Sequence, residues 1–111
     1  MTDEARKNFT MRITQANKSE LIVILYEMYL AYVEDAVRDQ NDRDKFREAI
    51  RKARGCVTEL MNSLDHRYEV AHNLLRLYSY INKEMAGADV RGSIEPLSRC
   101  RKVMTELMEA Y

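Results

Sequence analysis

Few residues of this 111-residue chain have the types and spacing for chemistry, and none of the sets is complete. Glu69-Val70-Ala71-His72 has the Glu-x-x-His spacing by which helical bundles hold iron, with a carboxylate and an imidazole one turn apart on one face. A di-iron centre needs that motif twice, plus a Glu from each of two further helices, and only one copy is present. His66 and His72 are six apart, a spacing that puts them on different sides of a helix, and no cysteine joins them at zinc spacing. No metal is expected. Gly55, Gly87 and Gly92 make neither a phosphate loop nor a dinucleotide fingerprint. Ser63, Ser79 and Ser98 have no patterned histidine to serve as base. The basic run Arg47, Arg51, Lys52 and Arg54 is interleaved with Glu48 and Glu59, so it reads as a solvated helix face and not as a nucleic-acid stripe. These patterns point away from an enzyme and away from any cofactor.

The chemistry being absent, the elements carry the information. Gly and Pro number only 3 and 1 and Trp is missing, a composition poor in turn residues and rich in helix formers, which predicts an all-α protein of one domain. Lys plus Arg and Asp plus Glu balance at 18 each, so no net field draws in nucleic acid or an anionic membrane, and a partner would be held by apolar contact. The start of the chain lacks the charged and apolar regions of a secretory signal, and its two cysteines fit the reducing cytoplasm. Cys56 and Cys100 fall on or beside apolar stripes and read as small core residues.

The stretch Leu21 to Val33, LIVILYEMYLAYV, has Glu27 as its one charged residue. It is too short to cross a bilayer, which takes about 20 apolar residues, so no membrane insertion is expected. Wound as a helix it presents two seams. One runs through Leu21, Leu25, Met28, Tyr32 and Ala36, the other through Val23, Tyr26, Leu30, Val33 and Val37. Either both are core, or one faces the core and the other takes a guest helix or the chain's own tail.

Residues 1–16 read as a flexible tail, in which Phe9, Met11 and Ile13 alternate and would share one face of an extended strap. Phe9 and Ile13 are the residues expected to compete for the second seam. From residue 17 to residue 111 four helices are predicted. The first runs Lys18 to Arg38, capped by Asn17 with Glu20 three residues on. The second follows Asp42 with Phe46, Ile50, Ala53, Val57, Leu60 and Leu64 on one face. The third ends near Met85, with Val70, Leu74, Leu77 and Ile81 facing the core and Ala71, Leu75 and Tyr78 broadening its apolar arc; Gly87 to Gly92 breaks it. Ser93 caps the fourth, with Pro96 in its first turn and Leu97, Cys100, Met104, Leu107 and Tyr111 inside. Short links make sequential helices antiparallel neighbours, so the expected architecture is an up-down-up-down four-helix bundle. The two broadened faces make Val23, Tyr26, Leu30, Val33, Leu75 and Tyr78 the expected contacts of a helical client.

Three patches resemble the FliS family of flagellar export chaperones. Ala16-Asn17 with Leu21-Ile22 and Leu25-Tyr26-Glu27 is similar to its helix start, Asn62-Ser63-Leu64-Asp65 to its Leu-Asp helix ending, and Glu69-Val70-Ala71, Asn73-Leu74 and Leu77-Tyr78 with Tyr80 to its third-helix pattern. The resemblance implies a non-enzymatic cytoplasmic chaperone; a monomer or weak homodimer is expected. Its client would be the disordered C-terminal segment of flagellin, kept from early polymerisation and delivered to the export apparatus. The alternative is a self-associating helical-bundle interaction protein with a different helical client.

Overall fold

Asn17 and Asp42 cap helices as their side chains allow. The Glu20 amide donates to Asn17 Oδ1 at 2.9 Å and the Lys45 amide to Asp42 Oδ1 at 3.2 Å, each satisfying an amide that the first helical turn leaves without a partner. In the computed structural model, which describes all of residues 1–111, these caps open two of five α-helices, and there is no strand. The helices are α1 (Asp3–Gln15), α2 (Lys18–Arg38), α3 (Arg43–Asn62), α4 (Glu69–Arg91) and α5 (Glu95–Ala110).

The expected flexible tail is therefore a helix. Thr2 caps it, its Oγ1 accepting from the Ala5 amide at 3.1 Å, and Asp3 and Glu4 in the first turn suit the positive end of the helix dipole. The face turned inward is Ala5, Phe9, Arg12 and Ala16, at helical spacings of four, three and four, whereas Met11 points outward. Read with a period of two, Phe9, Met11 and Ile13 share a side; wound at 3.6 residues per turn, Met11 swings to the far side, while Ile13, about 40° from Phe9, lies at the edge of the inward face and is 37% exposed.

Two further expectations change at α4 and α5. α4 does not stop near Met85 but continues to Arg91, because Ala88 is fully buried beyond the Met85 turn and its packing outweighs the roughly 1 kcal/mol that an interior glycine costs. The helix ends at Gly92, whose φ of 65° is the left-handed conformation that glycine adopts without steric penalty. Ile94 stands at the N-cap position of α5 in place of Ser93, whose Oγ still accepts from the Glu95 amide at 3.4 Å.

α2 packs on α3, α3 on α4, α4 on α5 and α5 on α2, closing a ring, while α1 touches α2 alone. Cross-contacts give directions: Arg47 early in α3 bonds Asp89 late in α4, and Arg99 early in α5 pairs with Glu84 late in α4 at 3.6 Å, so these sequence neighbours run in opposite senses. Arg101 early in α5 bonds Glu34 late in α2, and Arg12 of α1 bonds Glu27 of α2. The ring encloses Tyr29, Phe46, Ile50, Leu60, Ile81, Met85, Leu97 and Met104, all but inaccessible to solvent. The predicted α3 stripe is all core except for half-buried Leu64, and Cys56 and Cys100 are free, buried thiols within the same core. On α4 the stripe is rotated from expectation. Ala71, Tyr78, Ile81, Met85 and Ala88 point in, and Val70, assigned to the core from its spacing, is 61% exposed.

Candidate functional site

Exposed Val70 marks the rim of an apolar groove of about 550 Å³ at the end of the ring where α2 begins and α3 and α5 finish. Ile22 and Tyr26 of α2 form one wall, and Ala71, Leu74 and Tyr78 of α4 the other. Leu107, Ala110 and Tyr111 close it from the α5 side, and the α3–α4 turn adds Leu64 and exposed Tyr68. The turn is held by Asp65, which accepts from the Arg67 amide at 3.1 Å and from the Arg67 guanidinium at 2.6 Å. That guanidinium also lies 6.0 Å from the ring centre of Tyr68, helping to place it on the rim. Such a groove suits the apolar side of a polypeptide; of its few polar lining residues, Ser63 donates to the Leu60 carbonyl at 2.7 Å, Asp65 is held by Arg67, and Lys18 is exposed.

At its floor Tyr26 and Tyr78, each 3% exposed, join hydroxyl to hydroxyl, with ring centres 6.5 Å apart. Burial pushes both hydroxyls up from their ordinary value, so the pair stays neutral and contributes shape and hydrogen bonding without charge.

The other expected client residues lie elsewhere. Val33 is 1% exposed, and Leu30 is half-buried against the same core. Leu75 is half-buried on α4 and is not among the residues packed on that core. Val23 lies beside Arg12 and Gln15 at the flank of α1. There is nonetheless a second covered face on α2. Ile24 is buried yet stands outside the ring's core cluster, and it neighbours Arg12 and Gln15 of α1. Ile24, Glu27, Ala31 and Asp35 follow one another at helical spacing on the side of α2 turned away from Tyr29 and Val33. The Arg12 guanidinium donates to Glu27 at 2.5 Å, stands 5.7 Å from the Phe9 ring centre, and the Met1 ammonium pairs with Asp35. Phe9, half-buried beside Arg12, is on the side of α1 turned to α2, and Ile13, 37% exposed, is at the edge of that side.

The groove's remaining members had uneven signals in the sequence. Ile22 and Leu74 stand within the patches that resemble FliS, Leu107 and Tyr111 were assigned to the core stripe of the last helix, and Tyr68, in a turn, belongs to no periodic pattern. His66 and His72 come within 5.8 Å between ring centres, because His66 lies in the turn before α4 and not on the helix. Both are exposed, and no group of three potential metal ligands forms anywhere in the chain.

The family model for flagellar protein FliS matches residues 1–111, the whole chain. The chain belongs to the FliS family. Membership implies a flagellar export chaperone role. No curated protein matches it. No helix of this FliS chain is long and apolar enough to cross a membrane.

Proposed function

We propose that this protein binds the disordered C-terminal segment of flagellin in the bacterial cytoplasm, holds it from polymerising early, and presents it to the export apparatus. The observation that carries the reading is the open apolar groove between α2, α4 and α5, in a chain of the FliS family. A monomeric helical ring has no structural use for exposed Val70 and Tyr68 beside half-buried Leu74, whereas an amphipathic client helix covers all three with side chains one turn apart. Ordering the client costs several kcal/mol, so the affinity has to come from extended apolar burial.

In this reading Tyr26, Tyr78, Ile22, Leu74 and Val70 touch the client, while Val33 and Leu30 act by packing the core that holds α2 in place. The outer face of α2 is a second docking surface, with Val23 and Ile24 on it. α1 already occupies that face as an amphipathic helix, seated by Phe9 and Arg12, and a long client segment would displace it.

Titration calorimetry with a peptide of the flagellin C-terminal segment tests the proposal. One peptide should bind per chain with a negative heat-capacity change, and Val70→Asp should weaken binding at least tenfold without unfolding the protein. Absence of binding, together with light scattering that shows concentration-dependent oligomers, would favour the alternative of a self-associating bundle.

A further inference from the structure

Of the groove's other polar groups, Lys18 is exposed, and Ser63 and Asp65 are bonded within the α3–α4 turn; its floor is apolar except for two hydroxyls, whose hydrogen count does not close. Two tyrosine hydroxyls carry two hydrogens, and the bond between Tyr26 and Tyr78 uses one of them. Neither hydroxyl has another hydrogen-bond partner in the chain, although both side chains line the groove and are almost wholly withdrawn from solvent. Whichever tyrosine donates, the other keeps an O–H with no acceptor on the protein. A buried donor left without an acceptor forfeits most of the free energy of a hydrogen bond, so an occupant that brings an oxygen to this point gains over one that is apolar there.

We infer that the Tyr26–Tyr78 pair gives the groove's floor one free hydrogen-bond donor, and that the bound flagellin segment places an uncharged amide oxygen over it. This rests on the client reading above and adds what selects the client's register. A carboxylate is disfavoured, because one neutral hydroxyl does not offset the desolvation of a full charge in an apolar site. A main-chain carbonyl at a helix end or an Asn or Gln side chain meets the requirement without that cost. One free donor on an apolar floor fixes where along an amphipathic segment the client sits, since sliding it by a turn would bury the donor against a methyl group.

The test uses the whole chain and the flagellin C-terminal peptide. The double variant Tyr26→Phe/Tyr78→Phe keeps both rings and removes the donor, so its affinity should fall about tenfold. At least one of the single variants should stay within about twofold of the unaltered protein, because the remaining hydroxyl is released from its partner and donates to the client. Melting temperature reports whether the double variant is folded. If it is not, proton NMR of the unaltered complex decides: two slowly exchanging tyrosine hydroxyl protons support the inference, and one overturns it. A folded double variant that binds as tightly as the unaltered protein also overturns it and leaves the client reading standing. Failure of the unaltered protein to bind the peptide removes the client reading itself, and this inference with it.

Discussion

Val33 and Val70 are one residue type in two situations, and they should answer to different measurements. Val70→Asp places a charge where the side chain is already in water, so the melting temperature should stay within about 3 °C while client binding is lost. The inaccessible Met85 is the opposite case. Met85→Ala leaves a cavity and takes away the sulfur that accepts from the Tyr29 hydroxyl at 3.4 Å, and chemical denaturation should show a loss of about 2–5 kcal/mol. Buried acids add a pH dependence. Burial pushes the Cys56 thiol up to about 12 and the Cys100 thiol up to about 11, and it also raises the hydroxyls of Tyr26 and Tyr29. In the unfolded chain these thiols ionise near 9 and the tyrosines near 10, so above that range the unfolded state releases protons that the folded state retains. Stability should be level from neutral pH to about 9 and fall steadily from there through 11 as measured by thermal melts, whereas a flat profile would mean that these groups are not enclosed. At this scale the sequence was readable wherever one face of a helix meets one neighbour: Phe46, Ile50, Ala53, Val57 and Leu60 on α3 are buried as their spacing predicts. Val70 misled because one apolar position in a stripe looks the same whether a helix or an open groove lies opposite it.

The element that separates sequence from structure is α1. Alternation of Phe9, Met11 and Ile13 suggests an extended strap, while the face in use combines Phe9 with Ala5, Ala16 and the charged Arg12, a pattern no apolar count detects. The abundance of apolar surface on α2 was legible, and so was the need for two partners. Which angle faced which partner was not, since periodicity fixes positions around a helix axis and says nothing of what stands at each angle. Val33, expected on the guest side, belongs to the ring's core, Tyr26 belongs both to that core and to the groove's floor, and the outer face is the one through Ile24. α1 contacts α2 alone and has no fully buried residue, so it should open without disturbing the ring. Hydrogen exchange should find its amides at least about a hundredfold faster than those of α3 between Phe46 and Leu60. Raising the salt concentration should widen that gap by screening the partly exposed Arg12–Glu27 pair. Equal protection of α1 and α3 would make α1 a fixed part of the core and remove it as a displaceable occupant of α2.

Across the whole molecule, charge and apolar surface divide the work. With 18 basic and 18 acidic residues the chain has no net field, so capture of the client should depend only weakly on ionic strength once α1 is removed. What remains is a groove formed where four segments of the ring converge; Tyr26 and Tyr78 on its floor stand among the contacts expected from the sequence, and the convergence is why the rest of its lining does not. Ile22, Leu74, Leu107 and Tyr68 become neighbours only when α2, α4, α5 and the α3–α4 turn are brought to one end. The most direct measurement is methyl and aromatic NMR of the full chain as the flagellin C-terminal peptide is added. Shifts concentrated at Ile22, Leu74, Val70, Leu107 and Tyr68, with the core methyls of Ile50 and Ile81 little changed, are the predicted result. Binding that leaves those groove signals in place and perturbs another surface would contradict it.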